Sequence, residues 1–259
     1  MMKKEKSDYI IHTVWSALDV LEQFRDNVEE LGITDLSRRL KLHKNKVYRL
    51  LATLESRNYI EQNKLTANYR LGLKNLQLGQ TFLKQTGLLR EARPVLESVS
   101  RKCDETSTVS VLNDGQVIYL DAVESALPVR VISRCGATLP FYCTAAGKVL
   151  AAYRHGDDLV RYVQTSELKQ YTARTITDPA QLTAHLLAIA QVGYAVDDEE
   201  LDPGVTCVGA PVRDYTNHVI GAVSVSGPSV RLTAERLHRE LIPLVKEAAG
   251  ELSARLGHN

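Results

Sequence analysis

Two short amphipathic helices, separated by only a few residues, are predicted between residues 32 and 54 and constrain the fold more than any other feature. The first helix places Leu36 and Leu40 four residues apart, so that they share one face. The second begins near Lys44 and has apolar residues at i, i+3, i+4 and i+7, a stripe that must be buried. These apolar residues are Val47, Leu50, Leu51 and Leu54. The pattern is typical of a helix-turn-helix.

A predicted β-hairpin follows the helix pair directly. Its strands cover residues 59–62 and 68–71, and the tip between them is polar. A helix-turn-helix followed by a hairpin is the winged form of this DNA-binding motif. We expect a support helix before the motif, over residues 11–24, because apolar residues recur there at helical spacing. Residues 1–8 are polar and are expected to be frayed.

Positive charge is concentrated in the same region. Residues 34–74 contain ten Lys or Arg and three acidic residues, a net of +7, whereas the whole chain of 259 residues has a net charge of +1. Binding to DNA phosphates requires such a concentration. We therefore expect this region to bind double-stranded operator DNA. The expected DNA-contacting residues are Lys44, Asn45, Lys46, Tyr48 and Arg49 of the second helix and Lys64, Asn68 and Arg70 of the hairpin.

Arg49 has two open roles. Asn and Arg side chains can read adenine and guanine edges, whereas Lys mainly holds phosphate. Because Arg49 directly precedes the buried Leu50, it can either read a base or brace the helix against phosphate.

Residues 87–259 alternate between strand and helix patterns, which predicts an α+β domain with helices packed on one antiparallel sheet. The strongest hairpin signal is Asn113-Asp114-Gly115. Predicted strands are residues 106–112, 116–123, 128–134, 194–197, 206–213 and 219–226, and predicted helices are 88–102, 144–153, 178–190 and 233–256. With a linker helix over 73–85, the expected division is a DNA-binding domain (1–72), a linker (73–86) and a C-terminal domain (87–259).

The sequence gives no sign of a membrane, a metal site or a cofactor. No apolar run approaches the roughly 18 residues of a membrane-spanning helix, and no signal-peptide core follows the charged N-terminus. We expect a cytoplasmic protein. The cysteines form no Cys-x-x-Cys pair, which argues against a structural metal or a disulfide framework. They are Cys103, Cys135, Cys143 and Cys207.

In several blocks that follow one another in the right order, the sequence resembles the IclR family of bacterial transcriptional regulators. The blocks are residues 47–54, 69–72, 139–140 with 144–148, 197–200 with Gly204 and Cys207, 210–212 and 224–228. The resemblance implies a winged helix-turn-helix, a linker helix and a GAF-like effector-binding domain, acting as a homodimer or a dimer of dimers. Asn45 and Lys46 stand where the family usually carries Ser and Thr, so the operator of relatives is not carried over.

The resemblance also implies an effector pocket. The matching positions are Leu139, Ala145, Ala146, Asp197, Cys207, Ser224 and Ser226. A helix that begins at Thr144 leaves backbone N–H groups open to an anion, and Ser224 and Ser226 alternate on a strand, so their hydroxyls face one side. We expect a small organic acid as effector, such as a sugar acid, keto acid or aromatic acid, and a regulator that represses a catabolic pathway. Taken alone, the serines can equally be structural.

The sequence fits two other functions, a cysteine hydrolase and a nucleotide-binding or bilin-binding GAF-like module, less well. A hydrolase with Cys207 or Cys143 as nucleophile needs a positioned His base, and the seven His residues lie in no activating motif. A GAF-like module for a cyclic nucleotide or a bilin would carry a Gly-rich phosphate loop, which is absent here, and would not need the basic winged domain. The sequence therefore predicts a regulator rather than an enzyme.

Overall fold

The computed structural model describes residues 9–24, 28–85, 87–132, 135–154 and 156–258. The expected frayed segment 1–8 lies outside these residues. The chain divides into two compact units, Met1–Gln85 and Thr86–Asn259. The first unit includes the helix that was predicted as a linker. In the described part of the chain, no helix combines the length and the apolar character needed to cross a membrane.

The first unit is a winged helix-turn-helix. Its elements are α1 (His12–Glu22), α2 (Ile33–Leu40), α3 (Lys44–Ser56), β1 (Ile60–Gln62), β2 (Tyr69–Leu71) and α4 (Leu73–Gln85). Strands β1 and β2 pair antiparallel, with Glu61 opposite Arg70. The predicted apolar stripe of α3 is confirmed as buried and packs with Val20 of α1 and Leu36 of α2. The left-handed conformation of Lys41, with φ of 54°, ends α2 and allows α3 to begin three residues later.

The second unit is built on one antiparallel sheet of six strands in the order β5-β4-β3-β8-β7-β6. The strands are β3 (Thr106–Asn113), β4 (Gln116–Val123), β5 (Thr138–Pro140), β6 (Ala195–Asp198), β7 (Val205–Arg213) and β8 (Val219–Pro228). The helices are α5 (Gly87–Cys103), α6 (Ala145–Ala152), α7 (Gly156–Thr165), α8 (Pro179–Val192), α9 (Ala234–Arg236) and α10 (Ile242–Arg255).

Helices cover both faces of this sheet. Val223 and Val225 of β8 lie in the core formed with α5 and α10, whereas Ala222, on the other face, lies in the core formed with α6, α7 and α8. Alternate residues of a strand point to opposite faces. The hydroxyl-bearing residues Ser224 and Ser226 therefore share the α6 face with Ala222.

The structure corrects two sequence predictions and adds two elements. The strand predicted over 128–134 is wrong for residues 128–132, which form no β-ladder, and residues 133–134 lie outside the described part. Alternation did suggest a strand there, but Val129 and Ile132 are 67% and 69% exposed, and side-chain donors take the carbonyls of Val129 and Val131 instead of a neighbouring strand. The C-terminal helix is interrupted by a π-helical turn at Leu237–Leu241. Strand β5 and helix α7 were not predicted.

Gly147 allows α6 to begin where it does. A Cβ at this position would lie 2.4 Å from the carbonyl oxygen of Phe141 and 2.6 Å from Oγ1 of Thr144. That hydroxyl caps the helix by accepting a hydrogen bond from the Gly147 N–H at 3.2 Å. No larger residue fits unless the 3₁₀ turn Phe141–Cys143 moves away.

We predict that Gly147→Ala destabilises the protein by about 3 kcal/mol, because the new methyl meets backbone atoms that cannot rotate away. Gly250 of α10 is the matched control, since a Cβ there meets no atom within 4 Å. Gly250→Ala should stabilise by about 0.5–1 kcal/mol through the usual helical preference for Ala. Urea unfolding followed by circular dichroism measures both. Equal effects of the two changes would contradict the packing argument.

Candidate functional site

The outer face of α3 carries the expected DNA-contacting side chains. Lys44, Asn45, Lys46, Tyr48 and Arg49 are all exposed, in contrast to the buried stripe on the other side. No side chain caps the N-terminus of α3 and no acidic residue occupies its first turn. The positive end of the helix dipole therefore adds to the charge of the two lysines, which suits binding to phosphate.

The wing is held by a carboxylate that the sequence analysis missed. Glu30 accepts hydrogen bonds from Asn63 Nδ2 at 2.6 Å and from Thr66 Oγ1 at 2.7 Å. These bonds, that of Asn63 first, lower the pKa of Glu30. Beside them, Leu31 and Tyr69 exchange two backbone hydrogen bonds of 2.9 Å. The segment before α2 thus fixes the hairpin tip. Because Glu30 lies 33 residues before Asn63, no local pattern signals the pairing.

The three expected hairpin contacts differ in their surroundings. Lys64 is exposed at the tip. The side chain of Asn68 bonds to Glu30, and the guanidinium of Arg70 pairs with Glu61 at 2.6 Å. Exposed ion pairs are weak and can exchange for a phosphate. The assignment of all three to DNA stays a prediction.

We predict that Lys46→Ala weakens binding to all DNA sequences alike and lowers the slope of log K against log salt by about one unit, because one phosphate contact is lost. If Arg49 reads a base, Arg49→Ala should also lose about 1–3 kcal/mol of preference for the bound sequence over a scrambled one. Fluorescence anisotropy with a fragment selected by the wild-type protein measures both.

The control for these variants is Arg101→Ala, which removes the same charge from an exposed position on α5. It should change neither the affinity nor the salt slope. Unchanged DNA binding by both α3 variants, with folding intact, would refute the assignment of this face.

A row of polar side chains crosses the sheet of the second unit. Asp197 of β6 lies opposite Cys207 of β7, Cys207 lies opposite Ser226 of β8, and Ser226 lies opposite Thr106 of β3. This row borders a cavity of about 40 Å³. The lining residues are Thr106, Thr108, Tyr119, Val131, Ile132, Leu139, Thr144, Asp197, Leu201, Asp202, Val205, Cys207 and Ser226. Tyr119, Val131, Ile132 and Leu139 form an apolar side of the cavity. The polar row on the sheet forms its floor, which is rich in hydroxyl groups.

Four of the seven expected effector residues lie at this cavity: Leu139, Asp197, Cys207 and Ser226. The structure does not bring the other three, Ala145, Ala146 and Ser224, into its lining. The hydroxyl of Ser224 is instead hydrogen-bonded to Thr108 Oγ1 at 2.7 Å.

The backbone of Ala145 and Ala146 is packed on β7 at Gly209, where a Cβ would come within 3.3 Å of both residues. Thr106 and Thr108 were missed by the sequence analysis. Their alternation on β3 was the signal available, since they face the two serines across the strand pair.

A buried charged cluster supports Asp197 from behind. Lys148 of α6 is fully buried, forms an ion pair with Glu200, and donates to the carbonyl of Val196 at 2.6 Å. The backbone N–H of Glu200 donates to Asp197 Oδ1 at 2.8 Å. Burial raises the pKa of Asp197 to about 7, although this hydrogen bond and Lys148 oppose the shift. Near neutral pH a substantial fraction of Asp197 is therefore protonated and can donate a hydrogen bond to an anion.

The chemistry of Cys207 argues against a nucleophile. Desolvation raises the pKa of its thiol, and the nearby Asp197 carboxylate acts in the same direction. A reactive cysteine needs the opposite environment, one that stabilises the thiolate. The described residues also contain no group of three or more His, Cys, Asp or Glu that could hold a metal ion.

Comparison with known proteins gives a consistent result over the whole chain. A family model described as bacterial transcriptional regulator IclR C-terminal matches residues 80–254, and one described as IclR helix-turn-helix domain matches residues 16–64. The chain is 33% identical to the HTH-type transcriptional regulator KdgR of Escherichia coli (strain K12), over 98% of this chain and 96% of that protein.

Solved structures agree. A transcriptional regulator from Rhodococcus sp. RHA1 superposes with a TM-score of 0.84 at 30% identity, covering 95% of this chain and 98% of that one. An IclR homologue from Microbacterium hydrocarbonoxydans, solved in complex with 4-hydroxybenzoate, superposes with a TM-score of 0.82 at 23% identity, covering 94% and 98%.

Proposed function

Because the chain belongs to the IclR family of bacterial transcriptional regulators, we propose that a small organic acid binds in the cavity bordered by Asp197, Cys207, Ser226 and Thr106 and thereby changes the affinity of the winged domain for operator DNA. The protein is a DNA-binding regulator, not an enzyme. In the proposed role it represses a catabolic pathway and releases its operator when the acid binds. A ligand shifts such an equilibrium only by its differential affinity for the two states.

The observation that carries this proposal is the hydrogen-bonding character of the cavity. No Lys or Arg is among its described lining residues, and the hydroxyl protons of Thr106 and Thr144 go to backbone carbonyls. The hydroxyls of Thr108 and Ser226 and the protonated form of Asp197 are donors that remain for a carboxylate. Several hydroxyls around one carboxyl suit an acid that carries hydroxyl or oxo groups. Tyr119, Val131 and Leu139 provide an apolar side, which also accommodates an aromatic ring. Gluconate, pyruvate and 4-hydroxybenzoate represent the three classes of acid.

We predict that Ser226→Ala raises the dissociation constant of the responsive acid by about tenfold to a hundredfold, the cost of removing one charge-assisted hydrogen bond. Calorimetric titration of the three acids and DNA release in their presence measure the effect. Ser224→Ala is the control, because Ser224 lies on the same strand face but bonds to Thr108. It should lower stability and leave acid affinity within about twofold. A Ser226→Ala protein that responds at the wild-type concentration would exclude the cavity.

We also propose that the protein is a homodimer, with a dimer of dimers as its larger form. Leu73 and Leu76 of α4 are 73% and 60% exposed, and Val14, Trp15 and Leu18 of α1 are all more than half exposed. Adjacent exposed apolar side chains mark a surface that another chain covers. A second copy would supply the second recognition helix for a palindromic operator. Leu83 follows Leu76 at helical spacing in the sequence, and its side chain lies outside the described part.

We predict that Leu76→Arg shifts the full-length protein toward the monomer and weakens operator binding. A buried arginine without a partner is strongly disfavoured at an apolar interface. Sedimentation velocity measures the shift. Leu65→Arg, at a wing position that is 96% exposed, should leave the sedimentation coefficient unchanged. A Leu76→Arg protein that stays dimeric would place the contact on another surface, such as that of α1.

A further inference from the structure

Glu105 is a fully buried carboxylate held by two arginines. Arg231 donates to it in a fork, from Nε at 2.7 Å and from Nη2 at 2.6 Å, and Arg236 donates from Nη1 at 3.0 Å. Its position requires the glycine at 227, where a Cβ would lie 2.7 Å from Glu105 Oε2. Charge-assisted hydrogen bonds to both carboxylate oxygens orient this group firmly. The proposed binding of an acid does not by itself explain why two arginines hold a buried carboxylate here.

The third nitrogen of Arg231 reaches the wall of the effector cavity. Nη1 donates to the carbonyl oxygen of Val129 at 2.8 Å. Val129 belongs to the irregular segment 124–132, which supplies Val131 and Ile132 to the cavity lining. One guanidinium therefore joins a buried carboxylate to the backbone of the cavity wall.

Few other contacts hold residues 129–132 in place. The side chains of Val129 and Ile132 are mostly exposed, so apolar burial contributes little to the position of these residues. Thr106 Oγ1 donates to the carbonyl of Val131 at 2.7 Å and accepts the N–H of Ser125 at 3.2 Å. Buried Ser125 anchors the start of the segment, since its Oγ donates to the Asp104 carbonyl at 2.5 Å. Residues 129–131 of the wall are fixed to the sheet by Thr106 and Arg231, and Glu105 precedes Thr106 directly in the chain.

We propose that Arg231 is a positioning residue of the effector site: by bridging Glu105 and the Val129 carbonyl, it holds segment 124–132 against the cavity and so sets the affinity for the acid. This inference rests on the proposed function, because it takes the cavity to be the effector site. The bridging by Arg231 is tested without a ligand. Arg231 does not line the cavity and has no role in contacting the acid.

Arg236 is the matched comparison within the same cluster. It donates to the same carboxylate, but its other bonds go to the carbonyl of Cys103 at 2.6 Å and to Glu240. Neither partner belongs to the cavity wall. Replacing either arginine by lysine keeps one positive charge beside Glu105 and removes one bond to a backbone carbonyl, since a single ammonium group cannot reproduce the fork.

The first test uses Cys207, which lines the cavity, as a reporter of access in the ligand-free, full-length protein. Its rate of modification by methyl methanethiosulfonate, followed by peptide mass spectrometry, should rise about tenfold in Arg231→Lys, since one charged hydrogen bond to the wall is lost. In Arg236→Lys the rate should stay within about twofold of wild type. Equal rates in the two variants would overturn the proposal.

Amide hydrogen exchange of Ser125 and Leu127, whose N–H groups donate to Thr106 Oγ1 and Ser125 Oγ, provides the second test. Exchange should accelerate in Arg231→Lys and remain as in wild type in Arg236→Lys. If Arg231→Lys does not fold, Thr106→Val removes the other tie to the wall and should also accelerate both Cys207 modification and exchange, whereas Thr106→Ser should not. Wild-type rates in Thr106→Val would show that the wall is held by other contacts and would refute the proposal.

Measuring the dissociation constant of an acid distinguishes a failure of the positioning role of Arg231 from a failure of the proposed function. For an acid that binds the wild-type protein, Arg231→Lys should raise the dissociation constant about tenfold, and Arg236→Lys should not. If gluconate, pyruvate and 4-hydroxybenzoate all fail to bind, the proposed acid class is wrong, while the thiol and exchange rates still decide the role of Arg231. If an acid binds Arg231→Lys as tightly as wild type, the positioning role is refuted and the proposed function stands.

Discussion

The ion pair between Lys148 and Glu200 is the interaction on which the effector domain depends. A fully buried lysine is costly unless it is paired and hydrogen-bonded, and here Glu200 and the Val196 carbonyl meet that need. The pair connects α6 to the turn that follows β6, and the Glu200 N–H in turn orients the carboxylate of Asp197. Lys148 reaches this point only because α6 lies very close to the sheet. Glycine at 209 makes that approach possible, since a side chain there would meet the backbone of the first helical turn.

The winged domain uses the same device at its surface. Glu30 binds the side chains of Asn63 and Thr66, so that a carboxylate from before α2 orients the wing. In each domain an acidic residue outside the expected ligand contacts holds a group that belongs to them: Glu30 holds the wing, and Glu200 holds the Asp197 carboxylate. The difference is exposure: Glu30 is only partly buried and its bonds are individually weak, whereas Glu200 is buried and its loss would leave Lys148 without its counterion.

Local periodicity predicted the elements well and the site only in part. The buried stripe of α3, the Asp-Gly hairpin between β3 and β4 and the Thr144 cap all depend on residues within a few positions of one another. The polar row across the sheet depends on register between strands far apart in the chain, such as Thr106 opposite Ser226, and periodicity carries no such information. Alternation placed Ser224 and Ser226 on one face correctly, but only the register shows that Thr108 takes the hydroxyl of Ser224. Leu139, Asp197 and Cys207 came from family resemblance rather than from any local rule.

The size of the cavity determines where the effector domain must adjust. A cavity of about 40 Å³ is little larger than the roughly 30 Å³ that one water molecule occupies in the liquid, so it holds fewer atoms than a six-carbon acid contains. The floor consists of paired strands, and moving it would break ladder hydrogen bonds on both sides of β3, β8 and β7. Segment 124–132 has no ladder and is tied by side-chain bonds from Thr106 and Arg231 to the carbonyls of Val131 and Val129. Local opening is easiest where few apolar contacts and few backbone hydrogen bonds must be lost. In the proposed function, this wall opens to admit a larger acid and closes over it again, so that the ties from Thr106 and Arg231 stabilise the closed, acid-bound form.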